Sequence, residues 1–294
     1  MCVFELPGSY VAADAASLDG QRRFIMSTRI QLILLVIASA AGSFSWAVKD
    51  GWDGAALLAG VAFTAAAGLR VVLIRSRPHR SWYDGRAVAE SVKTLSWKYA
   101  VGGDPFQVSE EQARANFEAL VDEVLASFDS LPPGERGGSA PTTSMDATRA
   151  LELEKRKDLY ERERIDEQRD WYSRKAAWNQ SRARFWGFVV LGLQLVGAVG
   201  AFLKGFGVVN IDIFGLAGAA VASAAAWLET KQHLTIARAY RVAADELGSI
   251  VGLMPGQSDE ASWSRFVAES EEAISREHIM WRASTRTKEP LNLA

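Results

Sequence analysis

Few residues in this chain have the types and the spacing that catalysis or metal binding requires. The histidines His79, His233 and His278 are spread over both halves, and none has a second histidine or a cysteine at metal-ligand spacing. The single cysteine, Cys2, excludes an intrachain disulfide. The motifs GxxxxGK[ST], GxSxG, HExxH and paired CxxC do not occur. We therefore expect a protein that is not an enzyme and that needs no metal and no cofactor.

Polar side chains inside long apolar blocks are the better candidates for a functional role. Asp212 and Asn210 lie in one such block, and Gln194 lies midway along another. A polar group in hydrocarbon is costly, so such residues usually face a bundle interior or water. In an oligomer the three could line a pore as polar rings, with Asp212 attracting cations. The alternative is that Asp212 lies in an interfacial turn, hydrated or bonded to Asn210, with no further role.

Four apolar blocks carry these residues, and each reaches about the 20 residues that cross roughly 30 Å of hydrocarbon. They run over residues 30–48, 54–74, 185–203 and 206–228, and their only charged residues are Arg70 and Asp212. The first block is not a cleavable signal peptide, because a second span follows it directly. The blocks form two adjacent pairs with very short turns. The sequence therefore predicts an all-α integral membrane protein with four transmembrane helices arranged as two hairpins.

The distribution of charge predicts the orientation of the hairpins. Cations flank each hairpin, whereas the turns hold only Lys49 and Lys204. Because cytoplasmic flanks carry the excess of Lys and Arg, both termini and the central region are expected in the cytoplasm. The formal net charge of -2 gives no basic field, so nucleic acid is not expected as a partner. The flanking cations are Arg22, Arg23, Arg29, Arg75, Arg77, Arg80, Arg174, Lys175, Arg182, Arg184, Lys231, Arg238 and Arg241.

The segments that follow the two hairpins share a layout, which suggests a duplication. Arg86 and Glu90 in the first half correspond in spacing to Arg241 and Asp245 in the second. Between the halves, residues 129–146 are rich in Pro, Gly, Ser and Thr and predict a flexible linker. This gives a first two-span module at 1–128 and a second at 147–294. Residues 147–184 lack Pro and Gly and predict one long helix that continues into the third span, within a cytoplasmic helical bundle.

Aromatic side chains on the charged cytoplasmic helices form a second set of candidates. Trp97, Trp171, Tyr172 and Trp281 could offer a surface or a pocket to a partner or a signal. The alternative is that they pack against neighbouring helices, as aromatic residues of polar helices more often do.

In these segments the chain resembles the SLATT domains, two-span modules that are associated with SMODS nucleotidyltransferases and SLOG sensors. In the first half the resemblance rests on residues 86–106, directly after the hairpin. In the second half it rests on Arg164, Gln168, Trp171, Tyr172, Lys175, Ala176, Trp263, Phe266, Glu271, Glu277, His278 and Trp281. The chain thus looks like a tandem pair of such domains.

The resemblance implies an effector of a bacterial anti-phage system that stays inactive until it is signalled. The signal would come from a nucleotide second messenger or from an associated sensor protein. The effector would then oligomerise in the inner membrane, form or gate an ion pore and depolarise the infected cell, which is abortive infection. A membrane anchor or scaffold that recruits a cytoplasmic partner through its helices is the alternative. The partners expected are the lipid bilayer and other copies of the chain.

Overall fold

The computed structural model of the chain describes residues 4–48, 51–128 and 137–286, and of these it gives 276–286 as backbone only. These residues are almost entirely helical. Two short strands, β1 (Ala47–Val48) and β2 (Trp52–Asp53), pair antiparallel. The helices are α1 (Gly8–Gly42), α2 (Gly54–Ser76), α3 (Pro78–Val101), α4 (Glu110–Ala126), α5 (Thr143–Arg149), α6 (Leu153–Tyr160), a π-helix (Glu161–Asp166), α7 (Glu167–Gly205), α8 (Ile213–Lys231), α9 (His233–Leu253), a 3₁₀ turn (Met254–Gly256) and α10 (Glu260–Arg286).

Four helical stretches in the described part of the chain are long and apolar enough to cross a membrane. They are Gly8–Gly42, Gly54–Val101, Leu153–Gly205 and Ile213–Gly256. The chain itself buries only 6% to 17% of their most apolar windows, so most of this apolar surface needs hydrocarbon around it. The predicted fold class, an all-α membrane protein with four spans in two hairpins, is confirmed.

The chain divides into two compact units, and each unit contains segments from both halves of the sequence. The membrane unit comprises Arg22–Pro78 and Ala176–Arg238 and contains the four apolar blocks of the sequence. The bundle unit comprises Met1–Gln21, His79–Lys175 and Ala239–Ala294. Its three segments precede the first span, separate the second from the third and follow the fourth.

Helix α3 is the central helix of the bundle unit, because both of its faces are buried. One face, which includes Val92 and Tyr99, packs in a core with residues of α1, α4 and α5. The other face, which includes Trp97 and Val101, packs in a second core with residues of α6, the π-helix, α7, α9 and α10. Trp97 and Tyr99 point apart because two residues turn an α-helix by about 200°.

The first hairpin turns earlier than the sequence predicted. Helix α1 ends at Gly42, so the apolar residues up to Val48 form a turn and β1 instead of the end of a span. Asp53 then starts α2 as its N-cap, an acceptor that satisfies N–H groups left unbonded in the first helical turn. Its carboxylate accepts hydrogen bonds from Ser45, Trp46, Ala55 and Ala56.

An unusual corner follows the second span of each hairpin. Arg77, after α2, and Gln232, after α8, have φ of 41° and 47°, a left-handed conformation that non-glycine residues adopt uncommonly. Each donates its backbone N–H to the carbonyl four residues earlier, and the next helix begins at once. The interval between Arg77 and Gln232 equals that between Arg86 and Arg241. The shared corner therefore supports the duplication that the sequence suggested.

The C-terminal end of the predicted linker is folded, while residues 129–136 lie outside the described residues. Met145 of α5 is fully buried in the first core. Asp146 accepts a hydrogen bond from the Tyr99 hydroxyl at 2.7 Å and pairs with Arg114. Residues 143–146 thus belong to the bundle unit and are not part of a flexible linker.

The single long helix predicted over residues 147–184 is also wrong. Helix α5 ends at Arg149, and α6, the π-helix and α7 follow it. The reason is a tertiary contact. The Arg149 guanidinium donates hydrogen bonds to the backbone carbonyl of Tyr99, in the last turn of α3, and to those of Phe106 and Val108, in the segment after α3. Helix propensity alone does not register such a contact.

Candidate functional site

Asp212 lies at the start of α8 and not inside the fourth span. The sequence placed the start of that span at Phe206, but α7 runs to Gly205 and α8 begins only at Ile213. Asp212 is the N-cap of α8: its carboxylate accepts the Gly215 N–H at 3.4 Å and lies 3.3 Å from the Lys204 ammonium. It thus repeats the capping role of Asp53 in the first hairpin. The suggested bond to Asn210 is replaced by the contact to Lys204.

The predicted pore residues do not come together within one chain. Asn210 is exposed in the turn between α7 and α8. Gln194 is exposed on α7, eleven residues before its last residue, Gly205, or about 16 Å along the axis at 1.5 Å per residue. Gln194 therefore lies near the middle of the span, far from the turn. A pore-lining role of Asp212, Asn210 and Gln194 stays a prediction.

Two glycines let α7 and α8 approach closely in the second hairpin. A Cβ at Gly200 would lie 2.5 Å from the Ile213 side chain, and a Cβ at Gly197 would lie 3.1 Å from that of Ala217. Small residues at such crossings permit the close packing that holds membrane helices together. At Gly192, by contrast, a Cβ would meet nothing within 4 Å. Gly200 lies about 120° around α7 from Gln194, so the side of α7 that meets Ile213 is not the side that carries Gln194.

Two of the four aromatic residues predicted as a partner or signal surface are core residues. Trp97 and Tyr172 are buried, with 3% and 1% of their surface exposed, so neither offers a surface. Trp97 stacks on Phe4 at 4.0 Å between ring centroids. Trp171 is partly buried and packs edge-on against Tyr240. Trp281 lies on α10 where only the backbone is described. The alternative, packing between helices, accounts for Trp97 and Tyr172.

The bundle unit contains a buried ion pair centred on Glu271 of α10. Arg164 of the π-helix forms two parallel hydrogen bonds to the carboxylate, from Nε at 2.8 Å and from Nη2 at 2.6 Å. The Tyr160 hydroxyl and the Thr94 hydroxyl each donate to Glu271 at 3.0 Å. These four residues, Thr94, Tyr160, Arg164 and Glu271, are called the Glu271 cluster. It joins α3, α6, the π-helix and α10 through one carboxylate.

The π-helix explains how Arg164 reaches this position. Glu167 donates its backbone N–H to the carbonyl five residues earlier, at Arg162, and not four residues earlier as in an α-helix. Before this point the buried side chains are Arg156, Tyr160 and Arg164. After it they are Ile165, Tyr172, Ala176 and Asn179. The buried stripe therefore shifts by one residue between Arg164 and Ile165, which is what an inserted residue does to a helix.

Comparison with known families identifies two regions of the chain. Residues 7–157 match the SMODS and SLOG-associating 2TM effector domain 3, and residues 160–281 match domain 1 of the same series. The chain belongs to the SLATT family. It contains two SLATT domains in tandem, so the resemblance seen in the sequence is confirmed. Neither the curated proteins nor the solved structures contain a match to the chain.

Family and spans together make the chain a multi-pass membrane effector of conflict systems. The two SLATT matches meet at residues 157–160, whereas the sequence analysis divided the modules at 129–146. The predicted division stays a prediction.

Burial and neighbouring charges shift the pKa values of groups around the Glu271 cluster of this SLATT protein. Burial raises the pKa of the Tyr160 hydroxyl well above its usual range, and the neighbouring Glu271 carboxylate raises it further. Burial, together with the nearby Arg164, lowers the pKa of Lys93, whose ammonium donates to the neutral Gln168 amide at 3.1 Å. Within the described residues the buried Arg164 Nη1 has no hydrogen-bond acceptor. The burial of the Arg164 charge is therefore costly, and it depends on pairing with Glu271.

The interactions at this cluster are one ion pair and the hydrogen bonds to its carboxylate. In the described part of the chain no group of three or more His, Cys, Asp and Glu residues could hold a metal ion. The SLATT resemblance had already singled out Arg164 and Glu271, but nothing in the sequence indicated that they pair. The one-residue shift of the buried stripe indicates the π-helix, but the shift can be recognised only once the inward-facing residues are known.

Proposed function

We propose that this SLATT protein assembles into homo-oligomers in the bacterial inner membrane and forms or gates an ion pore that depolarises the cell. The observation that carries the proposal is the exposure of Gln194 at mid-span. A side-chain amide in hydrocarbon without a partner costs on the order of 2–7 kcal/mol. A second copy of the chain can supply the missing hydrogen bonds, and the polar ring formed in this way can contact water.

The surface beside Gln194 suits close approach of a second helix. Gly187, Ala198 and Ala201 are exposed and lie on the same face of α7, because they are seven, four and seven residues from Gln194. Small residues together with a polar one are typical of helix-helix interfaces in membranes. Gly200, which meets Ile213 of α8, lies about 120° around α7 from Gln194, so the hairpin can stay intact while it associates.

The proposed orientation places the bundle unit in the cytoplasm. The cations of the sequence flank the hairpins, whereas the turns hold only Lys49 and Lys204, and the positive-inside rule assigns such cation-rich flanks to the cytoplasm. Both termini would then be cytoplasmic. We propose that the bundle unit receives the activating signal, from a nucleotide second messenger or an associated sensor protein, and that the chain itself catalyses no reaction.

The test is the membrane potential of bacteria that express the chain with its native neighbouring genes under phage challenge. A potential-sensitive dye reports the wild type and Gln194→Leu at matched membrane abundance. We expect the wild type to depolarise the cells and Gln194→Leu to weaken this by about five- to thirtyfold, the equivalent of the roughly 1–2 kcal/mol of an interhelical polar contact.

The matched control is the double variant Gln194→Leu/Leu195→Gln. It keeps composition and hydropathy unchanged but moves the amide by about 100° around α7, away from the small residues. We expect it to fail like Gln194→Leu. If cells that express the wild type keep their membrane potential under every condition, the result would contradict the pore. A membrane scaffold would then explain the chain better. Full activity of the double variant would contradict the proposed interface.

A further inference from the structure

The first hairpin of the membrane unit carries its arginines away from the turn and its one described carboxylate in the turn. That carboxylate belongs to Asp53, the N-cap of α2. Among its described residues the hairpin therefore supplies no counter-charge at the arginine-rich end. The arginines at this end are Arg22, Arg23, Arg29, Arg70, Arg75 and Arg77.

Two of these residues, Arg29 and Arg70, lie at the depth of the hydrocarbon and are called the inner arginines. Helix α1 ends at Gly42, so Arg29 lies about 20 Å from the turn at 1.5 Å per residue. Helix α2 begins at Gly54, so Arg70 lies about 24 Å from the turn. The turn carries the exposed Trp46, and an indole prefers the headgroup layer. Because the hydrocarbon is about 30 Å thick, the Cα atoms of both inner arginines lie about 6–10 Å inside its other boundary.

Both inner arginines lie on helix faces that the chain leaves uncovered. Arg29 is exposed and shares its face of α1 with the exposed Ile33, four residues after it. Arg70 is exposed and shares its face of α2 with the exposed Phe63 and Ile74, seven residues before it and four after it. Within the described part of the chain, neither guanidinium makes an ion pair, a hydrogen bond or a ring contact. Since a charge in hydrocarbon is costly, each requires water or an anion from outside the chain.

Two cations of the second hairpin, by contrast, have aromatic partners within the chain. The Arg182 guanidinium carbon lies 5.4 Å from the centroid of the Trp178 ring, and the Lys231 ammonium lies 5.2 Å from that of Trp227. The negative face of an aromatic ring attracts a cation. The described residues offer no such ring to the inner arginines. The first hairpin therefore depends more strongly on an anion that the surroundings supply.

We propose that the inner arginines bind the headgroup phosphates of anionic phospholipids. Phosphates line the boundary of the hydrocarbon and are the anions nearest to both residues, and a guanidinium can donate two parallel hydrogen bonds to a phosphate. A headgroup without an ammonium, as in phosphatidylglycerol, is favoured because its phosphate has no counter-charge of its own. This inference goes beyond the proposed pore and does not depend on it.

The two inner arginines reach a phosphate in different ways. Side chains of an α-helix tilt towards its N-terminus. In α1 the N-terminus is the end away from the turn, so Arg29 points towards the nearer boundary of the hydrocarbon. In α2 the N-terminus is at the turn, so Arg70 has to bend back or draw the phosphate inward by locally thinning the bilayer. Arg70 therefore gains most from a bound phosphate.

Native mass spectrometry of the full-length chain in a neutral detergent tests the proposal. The delipidated chain is titrated with phosphatidylglycerol, and with phosphatidylcholine as the zwitterionic probe. We expect the wild type to bind phosphatidylglycerol about twenty- to thirtyfold more tightly. This is the product of about fivefold for each inner arginine, at roughly 1 kcal/mol for an arginine beside anionic lipid. Equal affinity for the two lipids would overturn the proposal.

Substitutions of the inner arginines assign the preference to them. Arg70→Gln should lower the preference for phosphatidylglycerol about fivefold, and Arg29→Gln should do the same. Arg70→Lys keeps the charge and should keep most of the preference, which separates loss of charge from misfolding. If Arg70→Gln does not accumulate in membranes, Arg29→Gln carries the same expectation. A wild-type preference in the glutamine variants would overturn the proposal.

Arg182→Gln is the matched control, because it removes the same charge from the second hairpin, where Trp178 already partners the guanidinium. Its preference should stay within about twofold of the wild type, the scale of an exposed ionic contact. An equal fall in Arg182→Gln would show that only net charge attracts the lipid and would overturn the site. Excess inorganic phosphate should leave the bound lipid in place. Displacement of the lipid would make free phosphate the ligand and overturn the assignment to a phospholipid.

Discussion

Arg164 and Glu271 form a two-bond ion pair from which water is almost completely excluded, with 1% and 0% of their side chains exposed. They come from different elements, the π-helix and α10, and the attraction between them offsets the cost of burying each charge. A buried ion pair adds little net stability, because the loss of hydration offsets most of the attraction. Its contribution is to specify how these two elements meet, since any other arrangement leaves a charge without a partner.

The first prediction concerns the stability of the bundle unit. Glu271→Leu alone should destabilise it by about 3–5 kcal/mol, because Arg164 is left buried and unpaired. The double variant Arg164→Met/Glu271→Leu should recover part of this loss, since neither charge remains. The buried Tyr160 hydroxyl, left without its acceptor, keeps a cost of about 1–3 kcal/mol. Thermal unfolding of the detergent-purified chain, followed by circular dichroism, measures both.

The control for this prediction is the exposed pair of Lys157 and Glu154. Glu154 is 78% exposed, so Glu154→Gln should cost no more than about 1 kcal/mol. If the double variant at the Glu271 cluster is as unstable as Glu271→Leu, the ion pair is itself strongly stabilising, and the specificity argument fails.

The second prediction concerns the pH dependence of stability. The pKa of Lys93 is lowered in the folded chain, so the unfolded chain binds the proton more tightly. Stability at this site is therefore lowest below the folded pKa, and it rises as the pH increases from there towards the usual lysine value of about 10.4. Lys93→Met should stabilise the chain at neutral pH and remove this rise.

Melting temperatures of the wild type and Lys93→Met between pH 7 and about 10 give the comparison. Tyr160 lowers stability as the pH rises, but only above its unfolded pKa of about 10. Its folded pKa is raised, so above this pH the folded chain keeps the proton that the unfolded chain loses. Its effect is common to both proteins, so their difference isolates Lys93. A difference that does not shrink as the pH rises would contradict the assignment.

The sequence predicted the spans well, because length and hydropathy decide whether a helix crosses a membrane. It misplaced their ends at Val48 and Phe206, since apolar turn residues continue the pattern of the span. In both hairpins the true boundary is set by an N-cap aspartate, Asp53 and Asp212. A repeated Asp just before the second span was a local signal that hydropathy alone does not include.

The interior of the bundle unit could not be predicted from the sequence to the same degree. Trp97 and Tyr172 lie among charged residues, and only the tertiary packing of α3 and α7 decides that they are buried. Arg164 and Glu271 are 107 residues apart, and nothing local relates them. The helix predicted over 147–184 failed for the same reason, because Arg149 bonds to carbonyls of a distant segment.

The third prediction concerns the packing of the second hairpin. Gly200→Ala places a methyl 2.5 Å from the Ile213 side chain, so α7 and α8 must separate or Ile213 must move. We expect a loss of about 1–3 kcal/mol, the usual cost of overpacking. Gly192→Ala on the same helix meets nothing within 4 Å and should be nearly silent. Thermal unfolding in detergent distinguishes the two, and equal effects would contradict close packing at Gly200.

The fourth prediction separates the capping role of Asp212 from a role in a pore. Asp212→Ala should cost about 0.5–2 kcal/mol, as should Asp53→Ala, because each removes an N-cap acceptor. Asp212→Asn keeps an acceptor for the Gly215 N–H but removes the charge that faces Lys204. Because this ion pair is half-exposed, its loss should change stability by no more than about 1 kcal/mol.

The same variants decide whether the Asp212 charge acts on ions. From its position as an N-cap paired with Lys204, we expect Asp212→Asn to depolarise cells as the wild type does. Reversal potentials of the purified chain in planar bilayers, under a salt gradient, measure ion selectivity directly. A reversal potential that shifts towards anions in Asp212→Asn, while hairpin stability is kept, would place the carboxylate in the ion path. Unchanged selectivity with a destabilised Asp212→Ala would restrict Asp212 to holding the start of α8.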